Sequence, residues 1–247
     1  MNSNLRTALI TGGTSGIGRA VAKQLASLGI RVIVAGRNEE RGNQTVDAIR
    51  NSGGKANFIQ SDLGDASSAR ILAKCAIDLS NGHIDILVNN AGTYPSGLTH
   101  EMGEKDFEYV YALNVKTPYF LVAELAPLMA EKGSGTIINV SSIAAEYGIS
   151  GVSLYGSSKA AINYLTKVWA AEYGPNGVRV NTVSPGPTYT EGTESVSDGI
   201  VQMASQAPAR RPASADEIAS AISFLATEHS SFVYGAKLIV DGGITAI

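Results

Sequence analysis

The chain has 247 residues, of which 44% are hydrophobic and 17% charged, a composition typical of a globular protein with a substantial core. A net charge of −3 argues against a nucleic-acid or membrane-surface partner. The single cysteine, Cys75, excludes an internal disulfide. Its helical spacing with Ile71, Leu72 and Leu79 predicts a small buried side chain. We expect a cytoplasmic protein, because no leader pattern precedes Leu5 and the longest apolar tract, Phe120–Ala130, is too short to span a bilayer.

Short apolar runs alternate with longer amphipathic stretches along the chain. The predicted strands are Thr7–Ile10, Arg31–Ala35, Ala56–Gln60, Ile84–Asn89, Thr136–Val140, Val178–Val183 and Lys237–Val240. Helical stripes lie between them, the first formed by Ile17, Val21, Leu25 and Leu28 and the last by Ile218, Ala221, Ile222 and Leu225. This alternation predicts one doubly wound α/β domain over residues 1–247, with a seven-stranded parallel sheet flanked by helices on both faces.

A glycine-rich turn, Thr11-Gly12-Gly13-Thr14-Ser15-Gly16-Ile17-Gly18, joins the first predicted strand to the first helix. Glycines let the backbone approach a pyrophosphate, and the amides at the helix N-terminus attract its charge. The alternative is a tight connection without a ligand. The position of the turn favours dinucleotide binding by a Rossmann fold.

The second predicted strand ends in Val34-Ala35-Gly36-Arg37-Asn38, without a carboxylate. An acidic residue there would bind the ribose hydroxyls of NAD, whereas an arginine suits the 2′-phosphate of NADP. Arg37 can pair with a phosphate through two N–H groups, although a solvated arginine at a helix start is the alternative. We therefore predict NADP(H) as the cofactor, with NAD(H) as the second choice.

Tyr155 and Lys159 stand four residues apart in a predicted helix, so their side chains share one face. An ammonium beside a phenol stabilises the phenolate and lowers the pKa of the phenol, which makes a general acid and base. A buried packing tyrosine is the alternative.

From Leu5 to its end the chain resembles the short-chain dehydrogenase/reductase family. The resemblance is carried by the turn Thr11–Gly18 and, in the family's order, by Asp62, Asn89-Asn90-Ala91-Gly92, Asn114, Ser142, Tyr155, Lys159, Pro185-Gly186 and Val240-Asp241-Gly242-Gly243. Within the family the chain is most similar to bacterial 3-oxoacyl-acyl-carrier-protein reductases. The resemblance implies a single-domain Rossmann fold and a nicotinamide-dependent oxidoreductase of class EC 1.1.1.

The resemblance implies four catalytic residues. Tyr155 is the implied acid and base, and Lys159 lowers its pKa and holds the nicotinamide ribose. Ser142 orients the carbonyl, and Asn114 holds a water for proton relay. Besides Tyr155 and Lys159, the residues predicted to bind the cofactor are Gly12, Thr14, Ser15, Gly16, Ile17, Gly18, Arg37, Asp62, Leu63, Asn90, Ala91, Gly92, Pro185, Gly186, Thr188 and Thr190.

A polar segment at about 188–208 is predicted to form a substrate lid. Five residues are candidate pocket walls, although each could equally serve ordinary packing: Tyr94, Ile143, Tyr147, Ile149 and Tyr189. The three histidines lack ligand spacing, and no metal site is predicted.

Two predicted helical tracts, Tyr119–Ala130 and Val152–Tyr173, carry few charges, so both their faces need a cover. In the family these regions pair between subunits, and the last strand forms a second interface. We therefore expect a homotetramer, with a dimer as the alternative.

The predicted function is NADP(H)-dependent interconversion of a small ketone and a secondary alcohol. The alternative is a 3-oxoacyl-acyl-carrier-protein reductase, but Ala171 stands where those enzymes carry arginine, which weakens attraction of an acidic carrier. A non-catalytic NADP sensor is a third hypothesis, which the presence of all four catalytic residues disfavours.

Overall fold

The apolar runs form the strands, because strands covered on both faces need no alternation of polar side chains. The computed structural model describes residues 5–247, without the side chains of residues 195 and 196. The first four residues of the predicted domain lie outside the described residues. The strands are β1 Thr7–Thr11, β2 Arg31–Gly36, β3 Ala56–Gln60, β4 Ile86–Asn89, β5 Gly135–Val140, β6 Val178–Pro185, β7 Thr188–Tyr189, β8 Ala213–Ser214 and β9 Lys237–Val240.

The amphipathic stretches form eight α-helices within the described range. They are α1 Gly16–Ser27, α2 Glu39–Asn51, α3 Ala66–Leu79, α4 Glu104–Tyr111, α5 Thr117–Lys132, α6 Ser153–Tyr173, α7 Ser197–Ala204 and α8 Ala215–Ala226. A π-helical segment, Ala112–Lys116, joins α4 to α5. Between residues 5 and 247, no helix is long and apolar enough to cross a membrane.

The main sheet has seven parallel strands in the order β3-β2-β1-β4-β5-β6-β9. This confirms the predicted doubly wound α/β fold. The strand order reverses between β1 and β4, so a crevice opens outside their carboxyl ends, where such sheets bind ligands. The short strands β7 and β8 pair with each other; β7 opens the predicted lid region, and β8 lies beyond its end.

The hydrophobic core lies in two layers, one on each face of the sheet. Helices α1, α2 and α8 cover one face, and α3, α5 and α6 cover the other. Two sequence expectations are wrong. Leu28 is 58% exposed because α1 ends before it, and Cys75 is exposed because small alanines and Leu72 form the buried face of α3.

Candidate active site

The glycine-rich turn after β1 is held to the loop after β4. Asn90 Nδ2 donates to the carbonyl oxygens of Thr11 and Gly12 at 2.9 and 3.2 Å. Thr11 Oγ1 accepts hydrogen bonds from the backbone amides of Asn90 and Ala91. Gly18 lets α1 start against this turn, because a Cβ there would lie 2.3 Å from the oxygen of Gly12. The two loops that the sequence assigns to the cofactor therefore form one unit.

The first amide of α1 binds a carboxylate from the lid. Gly16 N donates a 2.8 Å hydrogen bond to Glu191 Oε2, and Arg19 Nη1 lies 2.6 Å from Glu191 Oε1. Burial on its own would raise the pKa of Glu191. Hydrogen bonds from backbone amides and the charges of Arg19 and Arg41 outweigh this effect, so the pKa of Glu191 lies below its ordinary value. An anion therefore occupies the positive end of α1, where the sequence predicts a phosphate.

A cleft of about 370 Å³ follows the carboxyl ends of β1 to β4. Its described lining holds most of the predicted cofactor-binding residues: Gly12, Thr14, Ser15, Gly16, Ile17, Arg37, Leu63, Asn90, Ala91, Gly92 and Thr190. Arg41, Asn38 and Ser61 also line it. Bare glycine backbone beside two guanidinium groups is a donor set that fits the phosphates of a dinucleotide.

The residues at the end of β2 carry the charge of this cleft. Arg37 is 68% exposed, and its Nε lies 3.9 Å from the carboxylate of Asp62. Asn38 caps α2 by accepting a hydrogen bond from the amide of Arg41. Leu63 is buried and lines the cleft, whereas the carboxylate of Asp62 is exposed at its edge.

Three predicted cofactor contacts shape the base of the lid and lie outside the described lining of the cleft. Pro185 ends β6, and the amide of Gly186 donates to Val240 O at 2.9 Å. Thr188 is buried and donates its hydroxyl to Gly186 O. Contact between these residues and a cofactor remains a prediction.

Ser142 and Tyr155 meet at the carboxyl end of β5. Ser142 caps the short turn after the strand, and its Oγ accepts a 3.1 Å hydrogen bond from the amide of Ala144. The hydroxyl of Ser142 is near enough to that of Tyr155 to lower the pKa of the phenol. The ring of Tyr94 packs edge-on against that of Tyr155, with 6.1 Å between the centroids. The sequence pattern thus brings together a hydroxyl pair that could face a carbonyl oxygen.

Lys159 lies under Tyr155, one turn further along α6. Its Nζ is 5.7 Å from the centre of the Tyr155 ring and donates a 2.8 Å hydrogen bond to Val140 O. Burial lowers the pKa of Lys159 from 10.5 to about 8. Burial also raises the pKa of Tyr155, although the neighbouring Ser142 hydroxyl opposes this rise. The expected lowering of the Tyr155 pKa by Lys159 is therefore wrong for the protein alone, where burial dominates.

Asn114 lies within the π-helical segment between α4 and α5. Its amide exchanges two 2.9 Å hydrogen bonds with the backbone of Thr93 and donates a third to Ser158 Oγ on α6. A Cβ on Gly92 would lie 3.2 Å from Asn114 Oδ1 and 3.3 Å from Lys159 Nζ, so only glycine lets the β4 loop come this close without displacing them. Asn114 therefore ties the β4 loop to the helix that carries Tyr155 and Lys159.

The predicted pocket walls separate in the structure. Tyr147 and Ile149 line a larger cavity of about 920 Å³ beside the Ser142 loop. Tyr94 lines the cofactor cleft and donates its hydroxyl to Gly192 O on the lid. Ile143 is buried in the turn after Ser142, and Tyr189 is 47% exposed.

Three residues of the site escaped the sequence analysis. Arg41 lines the cleft one turn after Arg37, a spacing that could have indicated a second cation. Gly156 lets α6 approach the Ser142 loop, because a Cβ there would lie 2.6 Å from Ala144 O. Glu191 reaches α1 across 175 positions of the chain, and no local pattern predicts that contact.

Comparison with known proteins agrees with this geometry. A family model described as enoyl-(acyl carrier protein) reductase matches residues 12–245. An uncharacterized oxidoreductase of Thermotoga maritima is 39% identical, and the alignment covers 100% of both chains. A 3-oxoacyl-[acyl-carrier-protein] reductase of Chlamydia pneumoniae is 33% identical over 96% of both chains.

Solved structures give the same picture. A short-chain dehydrogenase/reductase family protein matches with a TM-score of 0.91 and 46% identity over 98% of both chains. A candidate NAD(P)-dependent gluconate 5-dehydrogenase from Beutenbergia cavernae, with NADP bound at low occupancy, matches with a TM-score of 0.92 and 32% identity. That match covers 98% of this chain and 97% of the other.

Proposed function

The chain belongs to the short-chain dehydrogenase/reductase family, and we propose that it is an NADP(H)-dependent oxidoreductase that interconverts a ketone and a secondary alcohol. The observation that carries the proposal is the meeting of Ser142, Tyr155 and Lys159 beside a cleft suited to a dinucleotide. A carbonyl that accepts a hydride develops negative charge on its oxygen, and two hydroxyl donors can stabilise that charge.

Each residue has a distinct task in this proposal. The Ala144 amide fixes Ser142 Oγ as an acceptor, and in this proposal the Ser142 proton turns to the substrate oxygen. Tyr155 donates the second hydrogen bond and then its proton, and it takes the proton back in alcohol oxidation. Lys159 adds positive charge beneath the Tyr155 ring, which favours the phenolate after proton transfer. The nicotinamide would supply or accept the hydride.

Asn114 contributes to this proposal by holding the elements that carry the catalytic residues in place. Its hydrogen bonds to Thr93 and Ser158 fix the loop after β4 against α6, so Gly92 and Lys159 keep their positions relative to each other. The predicted water at Asn114, which would pass protons to Lys159, belongs to this proposal as well.

Charge at the start of α2 supports NADP(H) over NAD(H). Arg37 and Arg41 both line the cleft, and the end of β2 carries no carboxylate. A guanidinium pairs with a terminal phosphate, whereas an NAD site needs an acceptor for the ribose hydroxyls. The NADP-bound relative supports the same choice.

The second candidate function is reduction of a 3-oxoacyl thioester on an acyl carrier protein. The Chlamydia relative favours it, and the description of the family model names the same carrier with a different acyl substrate, an enoyl group. Acidic carriers dock on basic surfaces, and Ala171 and the weakly basic 130–134 stretch do not provide one. We therefore rank it below a carbonyl reductase or alcohol dehydrogenase.

We also propose a homotetramer, as the resemblance implies. The aromatic side chains of Phe107, Tyr119 and Tyr164 on α4 to α6 are 46%, 47% and 69% exposed. Strand β9 forms one edge of the sheet and is free to pair with another copy. Light scattering gives the mass, and a monomer would contradict this part of the proposal.

The experiment for the function follows NADPH absorbance with a panel of neutral ketones, an acetoacetyl thioester and, in parallel, NADH. The proposal expects NADPH loss with ketones and a preference for NADPH. Loss only with the thioester would favour the second candidate. Tight NADPH binding without any turnover would contradict both and would favour a sensor.

A further inference from the structure

The lining of the large cavity beside the Ser142 loop is mostly uncharged. It is bounded by the loop after β5, by α7 and by the segment after β9, with a volume of about 920 Å³. Ser150, Gln202, Gln206 and Thr245 supply its neutral polar groups, and isoleucines with Met203 supply its apolar ones. Hydroxyl and amide groups in such a wall can orient a ligand but cannot neutralise a charge.

One charged side chain, Glu146, lies among the described residues that line this cavity. It is paired with Lys237 and accepts a hydrogen bond from Asn163. The ammonium of Lys237 is therefore already engaged by a carboxylate and is not available to bind a second anion.

Lysine and arginine are absent from all three chain segments that follow β4, β5 and β6. Residues 91–102, 141–152 and 186–206 contain five carboxylates, Glu101, Glu146, Glu191, Glu194 and Asp198, and no lysine or arginine. Two of the five are paired with cations from elsewhere in the chain, Glu146 with Lys237 and Glu191 with Arg19. Asp241 adds to this field, because its charge reinforces the effect of burial in raising the pKa of Tyr147 on the cavity wall. The electrostatic potential on this side thus disfavours anions.

We propose that the substrate of this site is electrically neutral, a ketone or secondary alcohol that presents hydroxyl or amide groups and no carboxylate or phosphate. An ionised carboxylate in this cavity would lose water without gaining a cation, and burial of an unpaired charge is costly. This inference rests on the proposed function, since it names the substrate class of the same site.

The test uses ketones that differ only in charge. With saturating NADPH, kcat/KM is measured for acetoacetamide and acetoacetate, and for the amide and the carboxylate of 4-oxopentanoic acid. Each compound is also measured as an inhibitor of the best neutral ketone of the panel. We expect kcat/KM to be at least about tenfold higher for each amide than for its carboxylate. Where neither compound reacts, we expect the amide to be the more potent inhibitor by the same factor.

A charge variant sharpens the test. Gln202→Lys places an ammonium on the cavity wall and should shift the ratio of carboxylate to amide upward by about 3–10-fold. Gln44→Lys makes the same charge change on α2, and its ratio should stay at the wild-type value. Using the ratio cancels any effect of either variant on NADPH affinity.

The inference would be overturned if each carboxylate reacted or inhibited as well as its amide. It would also be overturned if both members of each pair were inert while another ketone reacted. Either result would leave the proposed function standing. An unchanged ratio in Gln202→Lys would also overturn the inference. No NADPH oxidation with any ketone is a different result, because it would remove the proposed function and the inference with it.

Discussion

The cofactor side and the substrate side of the site differ in charge. Arg19, Arg37 and Arg41 surround the glycine-rich turn, where α1 also offers its positive end. Among the described residues that line the cavity on the substrate side, Glu146 is the one charged side chain, and Lys237 pairs with it. Tyr155 and Lys159 stand where the two sides meet. Under the two proposals, one protein attracts an anionic cofactor and rejects anionic substrates.

The two sides also differ in how they are held. On the cofactor side, Thr11 and Asn90 fix two loops through backbone hydrogen bonds. On the substrate side, the lid touches the rest of the site through the Tyr94 hydroxyl and Glu191. We infer that substitutions around the glycine-rich turn, including Glu191 where it reaches α1, change nucleotide affinity, whereas those at the cavity wall change turnover of the ketone.

Tyr155→Phe acts at the junction and should have the largest effect. Loss of the proton donor should lower kcat by at least about 10³-fold, since the ring packing against Tyr94 is kept. NADPH affinity, measured by fluorescence titration, should stay within about threefold of wild type. Near-normal turnover would remove Tyr155 from the mechanism.

Ser142→Ala, compared with Ser141→Ala, distinguishes the roles of the two adjacent serines. Loss of one donor to the developing oxyanion should lower kcat by about 10²–10³-fold. Ser141→Ala is the matched control: its hydroxyl donates to Lys159 O, and its loss should cost less than about tenfold. Equal losses in steady-state assays of the two variants would contradict the assignment to Ser142.

Lys159→Met should inactivate the protein and stabilise it. The lowered pKa of Lys159, about 8 in place of 10.5, means that the fold bears the cost of a buried ammonium. At about 1.4 kcal/mol per pKa unit, and after loss of the bond to Val140, the gain in free energy of unfolding near pH 7 is about 1–3 kcal/mol.

The gain in free energy of unfolding of Lys159→Met should shrink as the pH rises. The cost is full below the folded pKa of about 8 and disappears as pH rises towards 10.5, because wild-type Lys159 then loses its proton. Denaturant unfolding should therefore show the advantage of Lys159→Met shrinking over this window. Lys167→Met, an exposed lysine on the same helix, should show no such trend; a parallel trend there would undermine the account.

Arg37→Ala should act on the cofactor side alone. Loss of a charge-assisted bond to the 2′-phosphate should reduce the preference for NADPH over NADH by about 10–100-fold. Arg31→Ala, at the opposite end of β2, serves as the control. An unchanged NADPH to NADH ratio of kcat/KM in Arg37→Ala would refute its role.

Glu191→Gln should give the smallest change. Removing a carboxylate from the N-terminus of α1 should tighten NADPH binding by about 2–5-fold, because that charge opposes the cofactor's phosphates. Glu194→Gln removes a neighbouring exposed carboxylate and should leave the affinity near wild type. Weaker binding in Glu191→Gln would show that the carboxylate assists the cofactor.

The fold was predictable from the sequence because apolar runs and helical stripes report burial directly. All seven strands of the sheet were predicted, two with the observed bounds and five with a difference of one or two residues at an end. Strand β4 starts at Ile86 and not Ile84, because the buried Asp85 accepts bonds from Thr7 N and Lys132. Strand β6 runs on to Pro185, because β9 pairs with it there.

The errors arose where tertiary contacts override local patterns. Cys75 follows the spacing of the larger apolar residues of α3, yet alanines form the buried face. Burial, which depends on the whole fold, sets the pKa of Tyr155 in the protein alone. The grouping of Ser142 and Tyr155 could be predicted from the sequence, because the order of the motifs identifies the family. The cavity could not be predicted, because its wall combines α7, the segment after β9 and the loop after β5, which are far apart in the chain.

The most direct test of the central claim is the transfer of label from NADPH dideuterated at C4 of the nicotinamide. The account predicts that the alcohol formed from a neutral ketone carries one deuterium at the carbinol carbon and that one NADPH is lost per alcohol. Loss of NADPH with an unlabelled alcohol, or formation of alcohol without loss of NADPH, would contradict hydride transfer at this site.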